Sequence, residues 1–215
     1  MDSEPSHTFI DLISRIVSKI SISSLIIVLA FSFNILTLTS HDAVAATKDA
    51  ESIEKEQEEE EKEKEKAIKD AAIKEQILWF ARAIYSETKV PAEQRLVAWV
   101  VRNRVEAQQY PDTYKDVVLQ PNQFSGLNSS DFHYYTNISL KEDATLPGWA
   151  TAYEIAQEVY NADSSARPIS ATVWHFYSPI SASRTPSWAL GSEPVHESKD
   201  FATGTVRFAF FANVQ

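Results

Sequence analysis

Glu87 is the residue in this sequence most clearly placed for chemistry. Ile73, Ile77, Phe80 and Ile84 recur at spacings of four, three and four, one face of an α-helix, and a further step of three lands on Glu87. A carboxyl on a buried face at a helix carboxy end loses hydration and meets the negative end of the helix dipole. Both effects raise its pKa and hold the proton on at neutral pH, as a general acid requires. The same periodicity admits a helix that frays before Glu87 and leaves the side chain in water.

Other chemistries are narrowed by residue type. Glycoside hydrolysis by the usual route needs a second carboxylate across the scissile bond. Asp131, Asp143, Glu193 and Glu197 qualify by position alone, and none sits in a motif. His133, His175 and His196 could supply zinc ligands, but no short His-x-x-x-His spacing joins them. The absence of Cys excludes disulfides, thiolate metal sites, iron–sulfur clusters and a cysteine nucleophile. Four glycines are too few to offer a G-x-S-x-G elbow.

Several elements must hold Glu87 in place. Pro91 suits the first turn of a second helix, with Leu96, Val97, Val100, Val101 and Val105 as its apolar stripe. Thr113 and Asp116 resemble a capping box for a short third helix ending near Leu119. A loop with Pro121 and Gly126 follows, and Trp149, Tyr153, Ala156 and Tyr160 mark another helix. Thr172 to Tyr177 and Thr205 to Phe211 are rich in β-branched and aromatic residues and read as strands, with a turn at Gly204. The predicted architecture is α+β, mostly helical, with a small antiparallel sheet late in the chain.

The wording of these segments resembles a known family. Ala81-Arg82-Ala83-Ile84-Tyr85-Ser86-Glu87 and Val97-Ala98-Trp99-Val100-Val101-Arg102-Asn103-Arg104-Val105 are similar to the start of the cell wall hydrolase family of the spore-cortex-lytic enzyme (SleB) type. Tyr110-Pro111-Asp112-Thr113, Gln123-Phe124-Ser125, His175-Phe176-Tyr177-Ser178-Pro179 and Pro186-Ser187-Trp188-Ala189 continue the likeness in order, over about residues 76–212. The resemblance implies a lysozyme-like α+β fold and one catalytic glutamate, here Glu87. It implies cleavage between N-acetylmuramic acid and N-acetylglucosamine as a lytic transglycosylase, with no cofactor and no metal. On that reading Gln123 and Ser125 bind N-acetyl groups, Tyr177 donates to substrate or orients Glu87, and His175 and Trp188 line sugar subsites. Phe176 reads as core packing, and Tyr85 as structural. Two departures stand out: Thr88-Lys89-Val90 replaces the family's usual Ala-Arg-Gly, and Gly126-Leu127 replaces its Cys-Trp. Two alternatives remain: a zinc amidase that cuts the stem peptide with ligands from His133, His175 and His196, and a non-catalytic wall-binding module.

The front of the chain is of another kind. Arg15 and Lys19 precede an apolar run from Ile20 to Leu38, and Ala43-Val44-Ala45 offers a cleavage site. Residues 1–46 therefore read as a signal peptide or membrane anchor that directs the remainder to the periplasm or cell envelope, with 20–39 as the anchoring stretch if uncleaved. Residues 47–75 read as a charged helical linker, with Glu51–Lys55, Glu58–Lys62, Glu60–Lys64 and Glu65–Lys69 as i,i+4 pairs. Residues 76–215 form the catalytic domain. The net charge is −10, and the first 75 residues hold 16 Asp+Glu against 9 Lys+Arg. The domain itself is close to neutral and lacks the basic stripe that nucleic-acid binding needs; the resemblance implies glycan strands as the partner.

Overall fold

A computed structural model describes residues 40–121 and 123–214. The apolar run Ile20 to Leu38 lies outside the described residues. Among those described, no helix is long and apolar enough to cross a membrane. The chain divides into two compact units, Met1–Lys64 and Glu65–Gln215.

Helix α1, Ser40–Glu87, runs unbroken through the charged segment and into the first apolar face. Of the predicted pairs, Glu58–Lys62 forms at 3.3 Å, Glu60–Lys64 at 2.6 Å and Glu65–Lys69 at 2.8 Å, while the Glu51 side chain lies outside the description. Exposed pairs of this kind contribute only a few tenths of a kcal/mol, about 0.2–0.5 each. The charged turns are thus held as helix by propensity and continuity. Burial begins later than the periodicity suggests. Ile73 is exposed, whereas Ile77, Phe80 and Ile84 are buried in the core.

Helix α2, Pro91–Val105, opens on Pro91 and buries Val97, Val100 and Val101. Helix α3, Tyr114–Val118, is capped by Thr113, whose hydroxyl accepts from the Asp116 N–H at 3.1 Å. A short helix α4, Tyr134–Ser139, precedes α5, Trp149–Asn161, whose apolar face puts Trp149, Ile155 and Val159 into the same core. Gly148 leads into α5 with φ 79°, a left-handed conformation suited to glycine.

Three antiparallel strands follow in the order β1-β3-β2: β1 Val173–Tyr177, β2 His196–Lys199 and β3 Val206–Ala212. His175 pairs with Phe211 and Tyr177 with Ala209. Alternation then sends Phe176, Phe208 and Phe210 to the main core and Tyr177, Ala209 and Phe211 to a small cluster with Trp188 and Ala189. The sheet is therefore a partition with a hydrophobic layer on each side.

One buried charge ties the sheet to the helices. Glu93, on the first turn of α2, is 2% exposed. It accepts from Arg207 Nε at 2.6 Å, Ser198 Oγ at 2.8 Å and Thr88 Oγ1 at 2.5 Å. Burial alone would raise its pKa, but the hydrogen bonds from Arg207, Thr88 and Ser198 outweigh that and hold it below the ordinary value. The knot joins β2, β3, α2 and the residue directly after Glu87. Removing the carboxylate leaves Arg207 with a path to water, so the loss is smaller than for a fully buried pair. Glu93→Ala is expected to destabilise the protein by about 2 kcal/mol. Urea unfolding of the two chains at pH 7 checks this, and wild type should lose the same advantage as pH falls through the depressed carboxyl pKa.

Candidate active site

Glu87 is the last residue of α1, and Thr88 N–H closes the helix on Ile84 O at 3.4 Å. The helix therefore does not fray before it, and the face that carries Phe80 and Ile84 continues into the carboxyl. A cleft of about 460 Å³ opens over this helix end. Glu87, Gln123, Ser125, His175, Tyr177 and Trp188 all line it. The structure thus brings these six residues into one concave site. Phe176 also reaches its wall, but its ring packs on Phe124, Phe208 and Phe210 and belongs mainly to the core.

Each wall has a local cause. The Gln123–Ser125 segment leads into a 3-10 turn, Ser125–Leu127, pressed against the end of α1. A Cβ at Gly126 would lie 2.8 Å from Ser86 Cβ and 2.9 Å from Asn137 Nδ2, so only glycine allows this approach. Asn137 Nδ2 in turn donates to Gly126 O at 2.8 Å. The opposite wall is β1. Asn103 Nδ2 donates to Ser170 O at 2.9 Å and Val173 O at 3.0 Å, and Arg104 Nε donates to Trp174 O at 2.7 Å. These bonds fix the strand that presents His175 and Tyr177. Trp188 completes the wall, 5.0 Å from the His175 ring and 5.8 Å from Tyr177.

The electrostatics follow from burial. The Glu87 carboxyl is pushed up to about 7, chiefly by loss of hydration, with the charges of Arg104 and Lys89 pulling the other way. The residue is half-buried because one side opens into the cleft, and the water there tempers the desolvation. His175 is pushed down to about 4 by burial and by Arg104, so its imidazole is neutral at ordinary pH. Its Nδ1 is sealed from solvent and has no hydrogen-bond partner among the described residues.

The other candidates lie elsewhere. Asp131 accepts from its neighbour His133 N–H at 2.7 Å, Glu197 pairs with Lys199 at 2.9 Å, and Asp143 and Glu193 are exposed. None of the four lines the cleft, and Glu87 is the single carboxylate among the residues that do. Among the described residues no three His, Asp or Glu side chains are grouped as a metal-ligand set. His133 and His196 are exposed, each against a phenylalanine ring. Tyr85 packs edge-on against Trp149 at 5.6 Å, in the structural role its helix face predicts.

Sequence reasoning passed over Arg104, which is 3% exposed and lines the cleft beside Glu87. The signal was available: Val97, Val100, Val101 and Arg104 share one face of α2, so a charge stands on an apolar stripe just as Glu87 does. Ser178 and Ser181 also reach the cleft and carried no such signal.

The profile of the cell wall hydrolase family matches residues 88–201, more than half of the chain. The chain belongs to that family. This cell wall hydrolase is thereby an enzyme of peptidoglycan cleavage, and the match begins at Thr88, one residue beyond Glu87. Two solved structures are similar to it. The catalytic domain of the germination-specific lytic transglycosylase SleB from Bacillus anthracis is 21% identical, with a TM-score of 0.45, covering 63% of this chain and 92% of that one. The catalytic domain of the Bacillus cereus SleB protein is 19% identical, with a TM-score of 0.42, covering 62% and 88%. No curated protein matches the chain significantly.

The raised carboxyl has a thermodynamic sign. Folded Glu87 holds its proton up to about 7, whereas the ordinary value is 4.5. Between those values the native state binds more protons than the unfolded chain, so stability falls as pH rises through that window. Glu87→Gln cannot ionise. It is expected to raise Tm at pH 8 by an amount on the order of a few degrees, with the gap closing at pH 4. Thermal unfolding of both chains at the two pH values measures it, and an equal gap at both would assign the effect to packing instead.

Proposed function

We propose that this cell wall hydrolase cuts the glycan strand between N-acetylmuramic acid and N-acetylglucosamine as a lytic transglycosylase, with Glu87 as the sole acid/base. The observation that carries the reading is the isolation of Glu87: among the described residues it is the only carboxylate lining the cleft, and burial keeps it protonated towards neutral pH. Two-carboxylate hydrolysis needs a partner within about 5–10 Å on the other face of the sugar. A one-carboxylate route does not. Glu87 gives its proton to the glycosidic oxygen as the bond from muramic C1 breaks. The carboxylate then takes the proton of the muramic 6-hydroxyl while that oxygen bonds to C1. The products are a free 4-hydroxyl on one fragment and a 1,6-anhydro ring on the other, and Glu87 is protonated again.

The walls suit a sugar chain. Trp188, Tyr177 and His175 offer ring surface on one side for sugar faces. Gln123 and Ser125 offer amide and hydroxyl groups on the other side for N-acetyl groups. Residues 1–46 are assigned to export or anchoring and 47–75 to a spacer, which puts residues 76–215 in the envelope where peptidoglycan lies. This assignment rests on the sequence pattern of Arg15, Lys19, the run Ile20 to Leu38 and Ala43-Val44-Ala45.

Purified peptidoglycan digested by the full chain is expected to yield muropeptides ending in 1,6-anhydro-muramic acid, read by mass spectrometry. Glu87→Gln should lower their release by at least about 100-fold. Wild-type kcat/KM should fall as pH rises through about 7, because the acid form of Glu87 is lost. Reducing-end products lost in the variant would replace this route with water attack. Released stem peptides that persist in the variant would point to an amidase.

A further inference from the structure

Arg104 is a buried cation with unused bonding capacity. Its Nε is committed to Trp174 O at 2.7 Å, while Nη1 has no partner. The guanidinium carbon lies 5.6 Å from the Tyr110 ring and 5.7 Å from the Phe124 ring, so aromatic faces hold its plane. Buried guanidinium groups ordinarily meet a carboxylate, because an unpaired charge out of water is costly. Here the carboxylate within electrostatic reach is Glu87, which lines the same cleft. That group starts the reaction protonated and neutral, so at this stage Arg104 has no anion to pair with.

Nη1 is also sealed from solvent, which puts it beyond a sugar entering the cleft. The anion of the cleft that arises within its electrostatic influence is the carboxylate that forms on Glu87. We propose that Arg104 is the positioning residue for the base half of the reaction: its free Nη1–H receives the Glu87 carboxylate once the proton has gone to the leaving sugar. This rests on the one-glutamate reading above. A donor fixed in advance for a charge that appears only during reaction costs no reorganisation at that moment. It also holds the carboxylate in one orientation while the muramic 6-hydroxyl delivers its proton.

The other titratable or charged groups around Glu87 are few. Lys89 follows it in the loop, and its ammonium is drawn to Tyr85 O and lies over the Tyr85 ring at 3.4 Å. His175 and Tyr177 face it from β1, and His175 is neutral. Gln123 and Ser125 face it from the 3-10 turn and carry no charge. Arg104 is therefore the buried cation of the site, and Lys89 the exposed one.

The test uses the full chain with 13C-labelled glutamate, the Glu87 carboxyl being assigned by its loss in Glu87→Gln. Arg104→Gln should raise the Glu87 midpoint by about one pH unit. Arg104→Lys, which keeps the charge, should recover most of that shift. An unchanged midpoint in a folded Arg104→Gln overturns the proposal. Should that variant not fold, the wild-type Arg104 Nε–H signal serves. It should titrate with the midpoint of Glu87 and stop doing so in Glu87→Gln, and a flat signal overturns the proposal equally. Neither measurement depends on product chemistry, so reducing-end products would remove the transglycosylase reading and leave the Arg104–Glu87 coupling to be judged by itself.

Discussion

A carboxyl group withdrawn from water, yet open on one side to substrate, is the constraint around which this domain is arranged. Glu87 meets it by ending a helix buried without a break over residues 80–85, so that Phe80 and Ile84 anchor the approach while the carboxyl emerges at the cleft. Moving the helix outward by one turn would hydrate the acid and return it to ordinary carboxylate behaviour. Sinking it by one turn would close it off from a glycan. The placement is fixed by apolar packing, which is non-directional and strong, and not by hydrogen bonds to the acid itself. Polar partners of that kind would favour the ionised form and undo the purpose.

Directional bonds are used instead one step away. Glu93 gathers Thr88, Ser198 and Arg207, and so fixes the chain just past Glu87 to the sheet. Gln94 adds a bond to Thr88 O at 3.0 Å. Asn103 and Arg104 hold β1 by its backbone. Helix α2 therefore grips both sides of the cleft, with its first turn on the segment after the acid and its last on the strand opposite. Two neighbouring carboxylates have opposite fates here. Glu93 is paired and ionised, and Glu87 is unpaired and protonated, because one is given three donors and the other is given apolar surroundings.

The sequence made the helices and the acid visible because both rest on periodicity. Ile77, Phe80, Ile84 and Glu87 fall on one face, and the stripe of α2 is equally regular. The strands β1 and β3 were legible from their aromatic and β-branched residues. Strand β2 was not: His196-Glu197-Ser198-Lys199 is an edge strand with little to bury, so it carries no alternation. Helix α4 spans only Tyr134–Ser139, too short for a helical repeat to register. The six site residues were found through family wording rather than physics, apart from Glu87. Arg104 was missed because a charged residue in a helix is usually solvated, and only the fold shows its neighbours to be aromatic rings.

The contact between Ser86 and Gly126 has a consequence for how this site can change over time. The two residues share one small volume between the helix end and the 3-10 turn, and Asn137 closes its far side. Growth at one position is tolerable only with shrinkage at another, so an evolutionary path that enlarges residue 126 must first pass through a smaller residue at 86. Positions far apart in the chain are therefore expected to covary as a pair among relatives. The departure at Gly126 is thereby tied to the size of the serine just before Glu87.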